Sequence, residues 1–350
     1  MSNNRRYHKV QRKKKSRRRI MTWILLPFLI ILISGATYAT LLLEKAESKV
    51  EESYEEIRPE KIKPNPKNEN ISILFMGVDD SSSRNYNESA RTDALVLATF
   101  NEKDKSIKMT SIPRDSYVYQ PLRDTYDKIT HAHAYDGVKG TLETVENLFE
   151  IDVDYYVKMN FYAFIDVVDA LGGIEYDVPF NISEKDTEDN NNAVFIKKGL
   201  NQLSGEQALA LARTRKYDND FERGKRQQEI LMAIMKKSIS AGSISKYGDI
   251  IDAVGDNMKT NITFDQLKSL VKYATSDLNM ESLDLTGEDY WKENSSGQRV
   301  YYFKLDDTSL ANIKLTFKNH LSVYASDNTV EDTESHAYDN TKDDNDTENN

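Results

Sequence analysis

The sequence of 350 residues contains no cysteine. This absence excludes disulfide bonds, zinc sites built on thiolates, iron–sulfur clusters and thiol nucleophiles. It is compatible with a protein that works outside the cytoplasm and does not rely on disulfides. Excess positive charge is also confined to one place: the formal net charge is −10, although residues 1–20 hold ten Lys and Arg and no acid. An acidic body lacks the basic footprint that nucleic-acid binding needs, so we expect no nucleic-acid partner.

A long uncharged segment follows the basic arm, residues 1–19. Residues 20–43 contain no charged side chain, and a helix needs about 20 apolar residues to cross a bilayer. Because the basic arm precedes this segment and acids follow it, we predict one transmembrane helix with a cytoplasmic N-terminus and an extracellular body. A cleavable signal peptide with a site near residues 35–39 is the less favoured alternative, since Leu41–Leu43 lengthen the apolar run. We expect the arm to contact anionic lipid.

Composition divides the remaining chain into three parts. Residues 44–70 are charged and contain three prolines, which predicts an extracellular stalk. Residues 326–350 are rich in Asp, Asn, Thr and Glu, which predicts a disordered acidic tail. Residues 71–325 are long enough to form one extracellular domain with a well-buried core, and we expect the catalytic site in this domain.

Short apolar runs alternate with helical repeats along residues 71–325. The runs predict strands at 71–77, 93–100, 106–112, 154–159, 174–178, 281–286 and 299–305. The repeats predict helices at 138–150, 161–171, 208–212, 221–240, 244–258, 264–275 and 308–322, and Ser204 and Gln207 form a capping box at the start of the third. This alternation predicts an α/β fold, a central mixed sheet flanked by helices on both faces, preceded by the transmembrane helix.

Arginine is scarce beyond the apolar segment and is concentrated in three places. Residues 44–350 contain 27 Lys but only ten Arg, and six of the ten are Arg91, Arg114, Arg213, Arg215, Arg223 and Arg226. Arginine is the cation whose planar fork grips phosphate. An extended segment would direct Arg213 and Arg215 to one side, and Arg223, Arg226 and Gln227 share a helix face. We favour a phosphate-binding cluster over a solvated face paired with nearby acids.

Carboxylates stand at the ends of two predicted strands. Asp79 and Asp80 follow the first strand, and Asp93 opens the second. If these strands are neighbours, Asp79 or Asp80 lies near Asp93, and two carboxylates plus substrate phosphate oxygens suit Mg²⁺, with Mn²⁺ as the alternative ion. Ordinary loop and cap chemistry is the competing interpretation. His131 and His133 are predicted to share a strand face, and without a third obvious ligand a structural role is favoured over zinc.

Several segments carry a resemblance to a known family. They are Leu74–Asp79, Ala90–Leu95, Ser111–Asp115, Lys128–Ala132, Ala212–Arg215 and Asp220–Gln228. Together with the basic arm and the single predicted span, they resemble the LytR-CpsA-Psr family of Gram-positive cell walls. The resemblance covers most of residues 71–240, with the segments in the same order.

This resemblance implies a phosphotransferase with a central sheet, flanking helices and a hydrophobic pocket for a prenyl chain. Such proteins move an anionic glycopolymer, of the wall teichoic acid or capsule type, from undecaprenyl pyrophosphate to peptidoglycan. It further implies roles for particular residues: Mg²⁺ ligation by Asp79 (or Asp80) and Asp93, pyrophosphate binding by Arg91, Arg114, Arg213, Arg215, Arg223 and Gln227, and catalysis by Arg91, Arg114 and Asp93. Lys128 is a candidate for an additional phosphate contact, with an ordinary surface lysine as the alternative. Asp115 is a candidate general base or a partner of Arg114. A polyprenyl-pyrophosphate hydrolase and a non-catalytic surface binding or regulatory protein remain the alternatives.

Overall fold

The structure, a computed structural model, describes residues 44–45, 47–78, 91–217, 220–239, 257–270, 279–294 and 296–322. Their strands are β1 Ile71–Val78, β2 Thr92–Asn101, β3 Ser106–Ser111, β4 Tyr117–Gln120, β5 Thr125–Lys128, β6 Tyr155–Asn160, β7 Ile174–Val178, β8 Ile182–Glu184, β9 Val194–Ile196, β10 Gly199–Leu203, β11 Met258–Thr260, β12 Asn279–Leu283, β13 Gly287–Glu293 and β14 Arg299–Leu305. Their helices are α1 Ile129–Phe149, α2 Phe161–Ala170, α3 Gly205–Arg213, α4 Asp220–Ile239, α5 Phe264–Leu270 and α6 Asp307–Leu321.

Six strands form a mixed central sheet in the order β11-β6-β1-β2-β3-β12. β1 pairs in parallel with β6 and antiparallel with β2, and β3 pairs in parallel with β12. In this register Leu74 faces Leu97 and Met76 faces Leu95, and all four side chains are buried. The strands read as continuous apolar runs because both faces of the sheet are covered.

Helices cover the two faces of the sheet. On one face α1 and α6 contribute Leu142, Phe149 and Phe317 to the main apolar cluster. On the other face, Met109 of β3 and Leu231 of α4 belong to a separate cluster. The predicted α/β class, with a mixed central sheet between helices, is confirmed for the described residues.

A second unit lies beside the sheet and is held by its own apolar cluster. It combines α2, α3 and the antiparallel pairs β7–β10 and β8–β9. The predicted capping box at Ser204 and Gln207 is present, with both reciprocal hydrogen bonds. Gly173 precedes β7 with φ +84°, and a Cβ there would meet the Leu203 carbonyl oxygen at 2.6 Å, so this turn requires glycine. Helix α4 contacts both this cluster and the sheet, and therefore joins them.

Helix α1 differs from its prediction. It begins at Ile129 rather than at 138, and it bends at Asp136 and Gly137, whose backbone angles are not helical. The prediction that His131 and His133 share a strand face is therefore wrong, because both lie in the first turns of α1. Ile129 and His133 are both buried, and their spacing of four residues places them on one face of a helix. The alternation of His131 and His133 along the sequence conceals this helical spacing.

Residues predicted to form a stalk pack against the domain. Residues 47–53 are helical, and the backbone N–H of Glu55 donates to the carbonyl of Thr260 at 2.8 Å. Arg58 is buried and donates to Glu146 and to the Val153 carbonyl, each at 2.7 Å. Composition alone predicts a stalk here because the segment is charged and proline-containing. The difference arises because its cations have specific partners on the domain.

Three predicted segments lie outside the described residues: the basic arm 1–19, the transmembrane segment 20–43 and the acidic tail 326–350. The helix predicted at 244–258 also falls almost wholly outside them. Among the helices of the described part, none is both long enough and apolar enough to cross a membrane.

Candidate active site

The site lies where several strands end at one edge of the central sheet. Val78, the last residue of β1, pairs with Thr92 at the start of β2 and with Asn160 at the end of β6. The β2–β3 ladder pairs Val96 with Ser111, and the backbone N–H of Ile112 then donates to the Leu95 carbonyl at 2.9 Å. Continued in the same register, β2 and the chain after β3 place Asp93 opposite Arg114.

Asp93 and Arg114 form an ion pair at this edge. Nη1 of Arg114 donates to Oδ1 of Asp93 at 2.6 Å. The side chains are 30% and 32% exposed for Arg114 and Asp93, so a ligand can reach both. Helix α1 holds the flanking backbone, because the N–H of Thr130 donates to the Arg114 carbonyl and its hydroxyl donates to the Thr92 carbonyl. The structure therefore brings together two of the three residues predicted to be catalytic.

Asp115 and Lys128 extend this pair into a network. Nζ of Lys128 lies 2.6 Å from Oδ1 of Asp115, and Nε of Arg114 lies 3.5 Å from Oδ2. Burial acts to raise the pKa of Asp115, but Lys128 and Arg114 outweigh it and lower the pKa below its usual value. Asp115 is thus a carboxylate held by two cations, which favours a partner of Arg114 over a general base.

Arg213 lies near the end of β6, and Arg215 follows it in the chain by two residues. Arg213 is the last residue of α3 and is exposed, with its guanidinium carbon 4.4 Å from the centroid of the Phe161 ring. Arg215 follows Thr214, whose extended backbone ends the helix, and is also exposed. Because α2 starts directly after Asn160, the contact with Phe161 places Arg213 near the edge that carries Asp93. The two arginines are not on one extended segment, since α3 includes Arg213.

Helix α4 supplies the remaining predicted contacts, and part of its polar face has a structural role. Arg226 is buried and donates to the Leu211 and Thr214 carbonyls at 3.2 and 2.8 Å. Gln227 donates to the Ala212 carbonyl at 3.3 Å. These carbonyls belong to the C-terminal end of α3. The last carbonyl groups of a helix have no hydrogen-bond donor within that helix. Arg226 and Gln227 therefore hold the segment that carries Arg213 and Arg215.

Arg223 lies on the same helix face and is buried, with 4% of its surface exposed. The next residue, Gly224, approaches β3 so closely that a Cβ would lie 3.0 Å from Oγ of Ser111. A small open cleft lies here, lined by Phe221 and Lys225 of α4 and by Pro113. Because Pro113 precedes Arg114, Arg223 stands at the same edge of the sheet as Arg114.

The remaining predicted residues have separate outcomes. Arg91 is exposed and directly precedes β2. Asp79 and Asp80 lie outside the described residues, so the described part contributes Asp93 alone to the predicted metal site. His131 accepts or donates a 2.8 Å hydrogen bond with Asp127, and His133 is buried. Within the described ranges, no three His, Cys, Asp or Glu side chains group as metal ligands.

One feature of the site was not predicted from the sequence. Lys128 lies 5.6 Å and 5.7 Å from the ring centroids of Tyr301 and Tyr302, which belong to β14, far along the chain. The tyrosine pair inside a predicted strand was the only available signal, and it does not reveal which residues lie opposite. The β4–β5 and β13–β14 hairpins together therefore border the site.

Comparison with known proteins assigns this chain to a family. The sequence model of the LytR_cpsA_psr family matches residues 37–319. The chain belongs to the LytR-CpsA-Psr family. It is 42% identical over 324 residues to the polyisoprenyl-teichoic acid–peptidoglycan teichoic acid transferase TagT of Bacillus subtilis (strain 168), covering 89% of this chain and 98% of TagT.

Solved structures agree with this family assignment. TagT bound to LIIa-WTA matches with a TM-score of 0.63 at 42% identity, over 75% of this chain and 96% of that chain. TagT with bound octaprenyl pyrophosphate lipid matches with a TM-score of 0.59 at 39% identity, over 75% and 95% of the two chains. The predicted family and the predicted enzyme class, a transferase, are confirmed by these relatives.

Proposed function

We propose that this LytR-CpsA-Psr protein transfers an anionic glycopolymer, of the wall teichoic acid or capsule type, from undecaprenyl pyrophosphate to peptidoglycan. The observation that carries the proposal is the Asp93–Arg114 pair, which is half-exposed at the edge where Arg213 and Arg223 also stand. Relatives named as teichoic acid transferases, and one solved with a polyprenyl pyrophosphate, support the substrate class.

The chemistry follows from the charges at this edge. A sugar hydroxyl of peptidoglycan attacks the phosphorus that carries the glycopolymer, the bond to the bridging oxygen breaks, and polyprenyl monophosphate leaves. The hydroxyl proton is released to solvent in this scheme. Asp115 is not proposed as its acceptor, because Lys128 and Arg114 lower the pKa of Asp115 and hold its carboxylate. Arg91, Arg114, Arg213, Arg215, Arg223 and Lys128 are proposed to bind the pyrophosphate and balance its charge, which is the main requirement of phosphoryl transfer.

A divalent cation, Mg²⁺ or Mn²⁺, fits the donors that this edge offers. Asp93 is a half-exposed carboxylate beside Val78, and Asp79 and Asp80 follow Val78 directly in the chain. One or two carboxylates with substrate phosphate oxygens suffice for such an ion. We therefore propose Asp93 and Asp79, or Asp80 in its place, as ligands. When bound, the ion would neutralise charge on the phosphates.

Helix α4 is proposed to contribute to the site for the prenyl chain. Leu231, Ile234 and Met235 are half-buried apolar side chains on this helix, and they face two different apolar clusters. A prenyl chain needs an apolar groove that begins near the pyrophosphate, and α4 starts at the arginine edge. The basic arm, the transmembrane segment and an extracellular catalytic domain complete the proposed topology.

The decisive experiment uses the full chain in detergent with a short polyprenyl-pyrophosphate glycan, Mg²⁺ and a peptidoglycan oligomer. Mass spectrometry should detect a phosphodiester-linked product with the wild type and not with Asp93→Ala or Arg114→Ala. Arg123→Ala is the matched control, because Arg123 is an exposed arginine whose guanidinium packs on the Tyr135 ring rather than on Asp93. Release of polyprenyl phosphate without any acceptor would support the hydrolase instead. Donor binding with no reaction would support a non-catalytic binding or regulatory protein.

A further inference from the structure

The segment that leads into β1 runs along the domain beside β11. Nζ of Lys259 donates to the Glu52 carbonyl at 3.2 Å, and the next contact is a parallel bridge between Tyr54 and Thr260. The backbone N–H of Glu55 extends this pairing by donating to the Thr260 carbonyl at 2.8 Å. Because the bridge is parallel, the segment runs in the same direction as β11 at this place.

The direction of β11 shows from which edge of the sheet the segment comes. β11 is antiparallel to β6, and its first residue, Met258, pairs with Met159, which is one residue before the end of β6. β6 ends at the edge that carries the Asp93–Arg114 pair, which is called the site edge below. Glu52 therefore lies near the site edge, and the segment then runs away from it to the opposite edge, where β1 begins.

Helical residues join the predicted transmembrane helix, residues 20–43, to this point of entry. Residues 44–45 and 47–53 are helical, and Val50 and Ser53 are the first buried residues of the described chain. A helix rises about 1.5 Å per residue, so about 10 Å separate the end of the predicted span from Val50. The headgroup layer on one side of a bilayer is about 5–8 Å thick. The domain therefore begins directly above the lipid headgroups.

The charges of residues 44–53, called the entry helix below, do not fix its place at the membrane. This segment contains four acids and two lysines, and Lys49 is paired with Glu52 within the helix. An excess of acids gives no attraction to anionic lipid. The distance between the domain and the membrane is therefore set by the length of the connection and not by a basic patch.

The length of the connection also selects the orientation of the domain. β2 runs from Thr92 at the site edge to Asn101 at the opposite edge, and its ten residues span about 30 Å at about 3.3 Å per residue. If the opposite edge faced the membrane, the chain would have to climb this distance before it entered the domain. The connection of about 10 Å is too short for that.

We propose that the entry helix holds the site edge against the outer surface of the membrane, so that the lipid headgroup layer is the partner of this face of the domain. The donor would then pass from the bilayer to Asp93 and Arg114 without crossing water. The identity of the donor rests on the function proposed above, and the place of the membrane rests on the predicted span at residues 20–43.

Two single-cysteine variants measure this orientation, because the chain has no cysteine of its own. Tyr162→Cys places a label near the site edge, since Tyr162 is 38% exposed and is the second residue of α2, which directly follows β6. Lys103→Cys is the matched control at the opposite edge, on an exposed residue of the turn between β2 and β3.

The full chain is reconstituted into phosphatidylcholine vesicles that contain lipids with a nitroxide quencher on the headgroup. A membrane-impermeant fluorophore is attached to the outward-facing domains. The label at residue 162 should lose fluorescence relative to vesicles without quencher, and the label at residue 103 should not. Equal quenching of the two labels, stronger quenching at residue 103 or no quenching of either label would overturn the proposal.

A helical spacer tests whether the height of the site edge matters for the reaction. A spacer of about 20 residues between Leu43 and Glu44 would raise the domain by about 30 Å. Transfer from a long-chain donor in the vesicles should fall by about tenfold or more, because the site and the donor no longer share the membrane surface. Transfer from a short-chain donor in solution should keep the wild-type rate, which shows that the domain is folded.

The same spacer inserted after residue 325 is the matched control and should change neither rate. A wild-type rate with the vesicle donor, despite the spacer before Glu44, would overturn the proposal. The proposal and the proposed function fail in different ways, because quenching does not depend on activity. If only the label at residue 162 is quenched but no donor reacts, the orientation stands and the assigned reaction is wrong. If transfer occurs but both labels are quenched equally, the reaction stands and the orientation is wrong.

Discussion

Arg114 and Asp93 lie opposite each other on adjacent backbone segments, and the guanidinium of Arg114 donates to the Asp93 carboxylate at 2.6 Å. The pairing results from the β2–β3 register, which continues through Ile112 to this position. The acid orients the planar guanidinium, and in the proposed function this orientation would lower the reorganisation needed for phosphate to bind. Both side chains remain about one third exposed, so the ion pair is still accessible from solvent.

Replacement of this arginine tests whether its planar shape matters as well as its charge. We expect Arg114→Ala to lower the rate of transfer by about 100-fold to 1000-fold, as for loss of one transition-state donor. We expect Arg114→Lys to recover only part of that loss, because an ammonium lacks the fork that contacts Asp93 and phosphate together. Initial rates with the polyprenyl-pyrophosphate donor give the comparison. A fully active Arg114→Lys would show that positive charge alone suffices, and Arg123→Lys should match the wild type.

Arg226 is predicted to stabilise the fold rather than to bind substrate. Arg226→Met should lower the free energy of unfolding by about 3 kcal/mol, because it removes two charged hydrogen bonds to carbonyls at the end of α3. Lys225→Met changes the neighbouring, exposed cation and should alter stability by less than about 0.5 kcal/mol. Urea unfolding of both variants provides the measurement. Equal stabilities would contradict the anchoring role.

His320 should make the stability depend on pH. Burial lowers the pKa of His320 to about 4, and its ring nitrogens contact the hydroxyls of Thr99 and Ser106. As the pH falls from 6.5 toward 4, the unfolded chain takes up a proton at this histidine that the folded chain does not, so stability is lost in that window. The loss is at most about 3 kcal/mol.

The variant His320→Gln isolates this contribution. Asp154 acts in the opposite direction, because burial raises its pKa to about 6 and its protonation favours the folded chain as the pH falls. The relevant quantity is therefore the difference between wild type and His320→Gln in urea unfolding at about pH 7, above the window, and at about pH 4.5, inside it. His320→Gln should lose less stability toward acid than the wild type. The exposed neighbour variant Asn319→Gln should keep the wild-type pH dependence, and a parallel pH dependence of all three would contradict the assignment.

The segment 47–70 is predicted to contribute to the stability of the domain. Arg58→Met should destabilise the fold by about 3 kcal/mol, since it breaks a buried pair and leaves Glu146 with less compensation. Lys61 also contacts Glu146, at 2.6 Å, so the carboxylate keeps one cation in this variant. Lys67→Met, at an exposed position of the same segment, should be close to neutral. Thermal unfolding of the two variants distinguishes a packed segment from a stalk, for which neither change would matter.

The sequence predicts those parts of the fold that leave a local signal in the chain. The apolar run from Ile71 and the capping box at Ser204 are local signals, and the structure agrees with both. The β4–β5 hairpin was not predicted, because its strands are four residues each and carry no long apolar run. The ring contacts of its Tyr117 with Tyr290 and Tyr302 join residues far apart in the chain, and no local sequence pattern contains such contacts.

The chain order of its motifs, the concentration of arginines and the alternation of strands and helices already determined the family and fold class from the sequence. Only the tertiary structure decided which of these arginines are exposed, as Arg213 and Arg215 are, and which donate to backbone carbonyls inside the protein, as Arg226 does. Arg223 and Arg226 are three residues apart on one helix and look equivalent in the sequence. In the structure, the guanidinium of Arg226 donates hydrogen bonds to carbonyls at the end of α3. Likewise, Lys128 lies between Asp115 and the tyrosines of β14 because two distant hairpins meet. Hydrogen bonds and ring contacts depend on distances in space, and the spacing of residues along a chain does not specify those distances until the fold is complete.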